Sequence, residues 1–369
     1  MDYTDIDQYW IWLSSVEHIG PKRFYQLLSI YEDARSVWDA LGAGGSPSEM
    51  KFLGYQALQS LRAARNEGFF YRLLDRLDRQ EVRAITRLSD AYPAQLTTIY
   101  DPPPTLYVRG AASLDSERMF AIVGSRRSTR DGQRAAREIA EGLAGAGVTV
   151  VSGMARGIDT YAHEGALAAD GCTIAVLGCG VDVCYPPENE GLMQRIIESG
   201  GAVVSEYPLG TKPLAGNFPP RNRIISGLSA GTVLVEGAQK SGAMITVNCA
   251  LDQGRDVFAV PGSIYSPLSA APNRMIVDGA TPVISPWEIL EYYRWGKSPE
   301  VSAANPHREI ELDADEAALV NPMREQELSF EELTQITGFS PSKLNSHLTM
   351  LELRGIIVKV PGGMYRAYL

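Results

Sequence analysis

Between residues 119 and 262 the chain repeats one pattern, in which a short apolar run leads through a turn of small or polar residues into a helical stretch. Six such runs occur, at residues 119–123, 148–151, 173–177, 202–205, 232–235 and 256–260. Short apolar runs that alternate with helices are typical of parallel strands joined by crossover helices. The pattern predicts an α/β fold with a doubly wound parallel sheet of extended Rossmann-like type. In such sheets ligands bind beyond the carboxyl ends of the strands.

The charge of the chain limits the kinds of nucleic-acid binding that are plausible. The net charge of −10 argues against a uniformly basic surface, but binding depends on local charge. Five arginines fall within the twelve positions 126–137, opposed there only by Asp131. A focused basic groove on an acidic protein is therefore compatible with the composition.

Several classes of protein are disfavoured by what the sequence lacks. No apolar run approaches the roughly 20 residues of a membrane span, and the acidic first residues do not resemble a signal peptide. The four cysteines form no C-x-x-C pair, so neither a zinc site nor a disulfide framework is indicated. We therefore expect a cytoplasmic protein with reduced cysteines, no membrane contact, no metal ion and no cofactor.

The 369 residues are enough for two or three domains. Residues 1–85 predict a helical domain in which Gly20 and Pro21 form a turn between two helices. This turn is typical of a helix–hairpin–helix (SAM-like) unit, whose backbone N–H groups can contact phosphate, but also of an ordinary helical hairpin. Residues 86–297 would form the core domain, entered through an extended, proline-rich connector.

The C-terminal part predicts a linker at 298–308 and a winged-helix domain at 309–369. The domain is indicated by a helix, a helix-turn-helix with a capping box from Ser329 to Glu332, and a β-hairpin. Its would-be recognition helix carries only Lys343, His347 and Arg354, and the segment is net acidic. Contact with a partner or with another copy is therefore favoured over duplex binding.

The loops after the strands carry residue types that bind phosphate, namely glycines that expose backbone N–H groups, hydroxyls, and cations. They are Gly124, Ser125, Arg126 and Arg127 after the first strand, Gly153 and Arg156 after the second, and Lys240 and Ser241 further along. The helix that follows Arg127 is expected to offer free N–H groups. Asp159 is expected to cap a helix or hold an arginine rather than act in catalysis with His163, and Glu206 and Glu236 stand alone at strand ends.

Residues 217–229 combine an aromatic ring, two prolines and two arginines. Phe218 offers a flat face for a base, and Arg221 and Arg223 offer planar forks for phosphate, while the prolines discourage helix until the arginines have passed. The alternative is a core aromatic and an arginine pair that caps a buried helix. The chain carries no convergent carboxylate pair, metal triad, G-x-G-x-x-G or Walker A loop, so binding is favoured over catalysis. Stacking on Phe218 needs an exposed base, which favours a single strand.

In order along the chain, the motifs at 101–110, 124–126, 153–159, 218–229, 241–246 and 260–262 resemble those of the DNA-processing protein A (DprA/Smf) family. The resemblance covers most of the chain. It implies a non-enzymatic bacterial protein that binds and protects incoming single-stranded DNA and loads the RecA recombinase on it in natural transformation and recombination. It also implies homodimers formed through the Rossmann-like core, and single-strand-binding protein as a further partner.

For individual residues, the resemblance implies that Arg126 binds phosphate and that Phe218 stacks on a base. It implies that Arg221 and Arg223 line the same basic pocket, with Lys212 placed only loosely beside it.

Two other functions stay open on the sequence. The core also resembles the lysine-decarboxylase-like phosphoribohydrolases, which are nucleotide-processing enzymes with a P-G-G-x-G-T-x-x-E motif, but only the fragment from Gly231 to Glu236 is preserved here. The second is a regulatory protein whose winged helix binds duplex promoters. The net negative charge of the winged-helix segment argues against this function.

Overall fold

The computed structural model describes residues 3–42, 48–296, 312–353, 356–360 and 364–367. The chain falls into two compact units, Met1–Lys297 and Ser298–Leu369. The expected linker at 298–308 lies outside the described residues. Among the helices that are described, none is both long enough and apolar enough to cross a membrane.

The first unit is built on a nine-stranded sheet with the order β1-β2-β6-β5-β4-β3-β7-β8-β9. The strands are β1 Val82–Thr86, β2 Thr105–Gly110, β3 Met119–Val123, β4 Thr149–Ser152, β5 Thr173–Val176, β6 Ala202–Ser205, β7 Gly231–Leu234, β8 Asp256–Ala259 and β9 Thr281–Pro282. The six predicted strands are β3 to β8, and every pairing between neighbours among them is parallel. The predicted doubly wound sheet is therefore confirmed.

Two strands extend the sheet where the sequence did not predict any. β1 and β2 pair antiparallel with each other, and β2 pairs antiparallel with β6. The expectation of a purely helical segment up to residue 85, followed by an extended connector up to residue 110, is therefore wrong at these two strands. β2 is apolar along its first half and lies inside the sheet, where Tyr107 is fully buried.

Helices cover both faces of the sheet. They are α6 Ala94–Thr97, α7 Arg130–Gly145, α8 Ile158–Ala168, α9 Glu190–Glu198, α10 Phe218–Gly227, α11 Gly242–Asp252, α12 Ala270–Val277 and α13 Pro286–Tyr292. One apolar cluster joins α10 and α11 to the sheet through Ile224 and Val247, and another joins α7 and α8 through Ile139 and Ala162. This two-sided burial explains why the strands are nearly continuous apolar runs.

The N-terminal helices are α1 Asp5–Ser15, α2 Pro21–Ile30, α3 Ala34–Gly42, α4 Gly54–Ala64 and α5 Glu67–Arg79. They bury a cluster of their own that includes Trp12 and Phe24. They are also tied to the sheet, because Trp10 Nε1 donates to the carbonyl of Pro104 at 2.7 Å and Thr86 Oγ1 donates to Asp7 at 2.6 Å. The predicted turn at Gly20 and Pro21 connects α1 to α2.

The second unit holds α14 Ala314–Glu325, α15 Phe330–Thr337 and α16 Pro341–Leu353, with strands β10 Leu328–Ser329, β11 Ile357–Val360 and β12 Met364–Ala367. The predicted capping box is confirmed at the start of α15. On α16, Lys343 pairs with Asp315 at 2.6 Å, and its ammonium lies 4.0 Å from the centre of the Phe339 ring. Arg354 lies outside the described residues.

Candidate nucleic-acid interface

An open cleft of about 810 Å³ lies at the carboxyl ends of the central strands. It is lined by the loop after β3, the loop after β4, and the first turns of α10 and α11. β3 pairs with β4 on one side and with β7 on the other, so the chain reverses its direction of winding here. The cleft thus occupies the position where doubly wound sheets bind their ligands.

Phe218 lines the cleft close to two guanidinium groups. The guanidinium carbon of Arg126 is 5.6 Å from the ring centroid, and that of Arg221 is 5.8 Å away. The ring of Tyr185 lies 5.3 Å from the same ring. A Cβ atom at Gly178 would come within 2.9 Å of Phe218, so the missing side chain there makes room for the ring. Phe218 keeps part of its surface exposed.

Arg221 is a fixed charge in the floor of the cleft. The residue is only 3% exposed, and its guanidinium donates to the carbonyl of Gly153 at 2.7 Å and to that of Val176. Burial lowers the pKa of Arg221 to about 10, a shift that the nearby charge of Asp159 opposes. Arg221 is therefore still charged at neutral pH, and its position is set by two backbone carbonyls.

Asp159 has a structural role, as predicted, but it holds the loop before α8 and does not cap that helix. Its carboxylate accepts the N–H groups of Gly153 at 3.2 Å and Ala155 at 3.3 Å, which fixes the loop between β4 and α8. Burial raises the pKa of Asp159 to about 6 against the opposing effect of Arg221. His163 is fully buried beside Thr173 and is not among the residues that line the cleft, and burial lowers its pKa to about 3, so the ring is neutral.

At the start of α7 a carboxylate occupies part of the anion site that the sequence predicted. The carboxylate of Glu236 accepts the N–H of Thr129 at 2.9 Å and also the Thr129 hydroxyl. Gly132 leaves room for this carboxylate, since a Cβ there would lie 2.2 Å from Glu236 Cδ. The N–H groups of Thr129 and Gly132 at this helix start are therefore not free, and the expectation of an isolated Glu236 is wrong. The first turn of α11, at Ser241 and Gly242, lines the cleft instead and has no side-chain cap.

Arg223 does not line the cleft, and this corrects the prediction. Its guanidinium binds both carboxylate oxygens of Glu206 at 2.7 Å, and its Nε donates to the carbonyl of Asp101 at 2.7 Å. Glu206 is thus not isolated at its strand end either. The two arginines differ because α10 already begins at Phe218, with Pro219 and Pro220 in its first turn, where a missing N–H is tolerated. The expectation that the prolines delay the helix is wrong.

The other predicted residues divide into two groups. Gly124, Ser125, Arg127 and Ser241 line the cleft together with Arg126, Phe218 and Arg221, and Gly153 and Arg156 line a small adjoining pocket. Lys212 and Lys240 are exposed but are not among the lining residues. Arg156 is paired with Glu188.

Two further polar or aromatic residues that line the cleft, Tyr185 and Asn222, were not predicted from the sequence as binding residues. Tyr185 was detectable in principle, because it is an aromatic residue in a loop that follows a strand. Asn222 lies between the two arginines and accepts from Arg221 Nε at 3.3 Å. Among the described residues, no group of three or more His, Cys, Asp and Glu side chains could hold a metal ion.

The fold and this cleft define a Rossmann-like protein with arginines and an aromatic ring at its topological switch point. The family model for DNA recombination-mediator protein A matches residues 83–294, and the model for the DprA winged helix domain matches residues 303–363. The chain belongs to the DprA/Smf family, and the predicted C-terminal winged helix is confirmed.

Individual relatives agree with this assignment. Protein Smf of Escherichia coli strain K12 is 42% identical over 284 residues, which are 75% of this chain and 75% of that protein. DNA processing protein DprA of Streptococcus pneumoniae strain R6 is 41% identical over 216 residues, 58% of this chain and 76% of the relative.

Two solved structures are similar to the chain as well. DNA processing protein A from Streptococcus pneumoniae has a TM-score of 0.64 at 32% identity and covers 79% of this chain and 98% of its own. The protein from Helicobacter pylori, described for its single-stranded DNA binding mode, has a TM-score of 0.53 at 28% identity. The match covers 58% of this chain and 96% of the Helicobacter pylori chain.

Proposed function

We propose that this protein binds single-stranded DNA in the cleft, without catalytic turnover, and that it protects incoming DNA and loads the RecA recombinase on it in transformation and recombination. The observation that carries the DNA-binding part is the Phe218 ring in the cleft, with the guanidinium carbons of Arg126 and Arg221 at 5.6 Å and 5.8 Å from its centre. Family membership and the single-strand binding of the Helicobacter pylori relative support it. The recombinase part follows from family membership and from its description as a recombination mediator.

The chemistry of the cleft suits a single strand. Arg126 and Arg127 are exposed, and no described carboxylate lies within 4 Å of either, so both are available to phosphate. Arg221 adds a charge whose position is already fixed, which reduces the entropy lost on binding. Bases stack on aromatic rings regardless of sequence, so the expected binding is sequence-tolerant and salt-sensitive.

The lining of the cleft supports binding rather than turnover. Among the described lining residues Asp159 is the acidic side chain, and its Oδ2 atom accepts two backbone N–H groups. A general base or a nucleophile needs a free lone pair within reach of the ligand. In the proposed function, every charged residue of the cleft therefore either holds another part of the protein in place or binds a phosphate of the DNA.

Fluorescence anisotropy of labelled oligo-dT and of a duplex, over a salt series, tests the DNA-binding part. Phe218→Leu is expected to weaken single-strand binding by about 1–3 kcal/mol, the value of one stacked base. Arg126→Ala is expected to reduce the slope of log K against log salt by about one. Tyr100→Ala removes a fully exposed ring and Arg134→Ala an exposed arginine of α7, and both serve as matched controls.

The proposal is supported if the wild type and the two controls bind the single strand more tightly than the duplex and the two cleft variants do not. Equal affinity of all variants, or preference for the duplex, would contradict it. The recombinase part is tested separately, by RecA filament assembly on DNA coated with single-strand-binding protein. The wild type is expected to make filament assembly faster than it is without the protein, and Phe218→Leu is not. If the wild type leaves the rate of assembly unchanged, loading is refuted, but DNA binding is not.

We further propose a homodimer formed through the Rossmann-like core, as the family assignment suggests. Sedimentation equilibrium of residues 1–297 should then give twice the monomer mass.

A further inference from the structure

A second cavity, of about 240 Å³, lies where the turn between α1 and α2 meets the carboxyl end of β6. On one side it is lined by the turn, including Val16, Ile19 and Pro21, and on the other by Pro104 and Tyr207. Its wall is largely apolar and includes one aromatic ring. A planar ring system of the size of a nucleobase is the kind of group that fits such a wall.

This cavity is connected to the cleft by a short segment of chain. Tyr207 lines the cavity, and its hydroxyl lies 3.3 Å from the carbonyl oxygen of Asn217. Asn217 directly precedes Phe218, which lines the cleft. The chain between Tyr207 and Phe218 therefore links the cavity to the cleft.

Two cations, Lys22 and Arg23, directly follow the cavity residue Pro21 in the first turn of α2. Lys22 is exposed and Arg23 is half-buried, and within the described part of the chain neither has a carboxylate within 4 Å. Arg23 donates to the carbonyl of His18 at 2.8 Å, which leaves its other N–H groups available. The charge of these two residues complements a phosphodiester backbone.

The acidic groups nearby do not cancel this charge. Glu206 lines the cavity, but both of its oxygens are bound by Arg223. Burial raises the pKa of Asp101, an effect that the charges of Arg223 and Lys22 oppose, so Lys22 shares this carboxyl with Arg223. Glu17 is exposed and lies 3.7 Å from His18 Nε2.

We propose that the turn between α1 and α2 is a second contact for the same DNA strand, with Lys22 and Arg23 on phosphates and the cavity beside Tyr207 receiving a base. The inference rests on the proposed function, because it extends the strand that the cleft binds. It gives the N-terminal helices a role in setting the length of DNA that one chain covers.

A length series of oligo-dT, measured by anisotropy at several salt concentrations, tests the inference. The variant is Lys22→Ala with Arg23→Ala, and the control is Arg62→Ala with Arg72→Ala, which removes the same charge from exposed positions of α4 and α5. The shortest strands that the wild type binds are expected to bind the variant equally well. Longer strands are expected to bind the variant at least tenfold more weakly, with a salt slope smaller by about 1.4, for two phosphates of a single strand. Thermal unfolding checks that all variants fold.

Three results would overturn the inference. The variant could match the wild type at every length, or it could lose the same factor at every length, which would indicate a general effect of charge. The control could lose as much as the variant. Absence of any single-strand binding by the wild type would refute the proposed function itself, and the inference with it, and is distinguishable because it does not depend on the variant.

Discussion

Arg223 and Glu206 form a bidentate ion pair with both N–O distances at 2.7 Å, and their side chains are 12% and 6% exposed. The pair joins α10 to the end of β6, and Arg223 Nε also binds the carbonyl of Asp101 in the chain that leads to β2. Arg223, which the sequence predicted to bind phosphate, thus holds three segments of the chain together.

Arg223→Ala is expected to destabilise the fold by about 3–5 kcal/mol, because it leaves the Glu206 carboxylate buried without a partner. The measurement is urea denaturation followed by tryptophan fluorescence. Arg134→Ala, which breaks an exposed pair with Glu138, is the control and is expected to cost less than about 1 kcal/mol. A variant with wild-type stability and reduced DNA affinity would instead place Arg223 in the DNA site.

Asp159 is expected to make a contribution to stability that falls as pH rises. Its pKa is about 6 in the fold against 3.8 for the free group, so between these values the native state holds a proton that the unfolded chain has lost. The free energy of unfolding due to Asp159 therefore decreases from pH 3.8 to about 6, by up to about 3 kcal/mol, and is constant above that. Asp159→Asn removes this dependence.

His163 acts in the opposite direction, because its pKa of about 3 lies below 6.5 and its contribution rises with pH. The difference between wild type and Asp159→Asn, taken by denaturation at each pH, isolates the carboxyl from it. A difference that does not change with pH would mean that Asp159 is already ionised throughout this range.

The sequence was sufficient to locate the cleft but not to orient its side chains. Each of the strands β3 to β8 is a short apolar run buried by helices, and the cleft follows from where such strands end. Arg221 and Arg223 are two positions apart on one helix and so project from different faces. The direction of Arg223 depends on Glu206 and on Asp101, 17 and 122 positions away, which local sequence does not reveal. β1 and β2 were missed because Arg83 and Arg109 interrupt their apolar pattern.

Glu236→Gln is expected to cost about 1–3 kcal/mol of stability, because an amide NH₂ cannot accept from the Thr129 hydroxyl. The loop that carries Arg126 follows β3 directly and ends at Thr129, so a modest loss of DNA affinity is also expected. Neither the wild type nor the variant is expected to release free base from a nucleoside monophosphate. Base release is measured by chromatography. Base release by the wild type that Glu236→Gln abolishes would revive the phosphoribohydrolase alternative.

Removal of residues 298–369 is expected to leave oligo-dT affinity unchanged within about twofold, because every residue that lines the cleft lies in the first unit. Differential scanning calorimetry should show that the remaining chain unfolds cooperatively at the same temperature. A duplex-binding activity that disappears with this segment would support the regulatory alternative.

Removal of residues 1–86 is expected to destabilise the core strongly, because it deletes the whole of β1, inside which the predicted boundary at residue 85 falls. β1 pairs with β2 over its whole length, from Val82 opposite Arg109 to Thr86 opposite Thr105. The helices supply Ile11 and Leu77 to the cluster that buries Tyr107. The shortened chain therefore exposes an apolar ring and an unpaired strand edge, a known cause of aggregation. A chain that starts at residue 81 keeps the strand but not the helices and is expected to have intermediate stability, measured by thermal unfolding and dye binding. Equal stability of all three chains would show instead that the N-terminal helices are an independent domain.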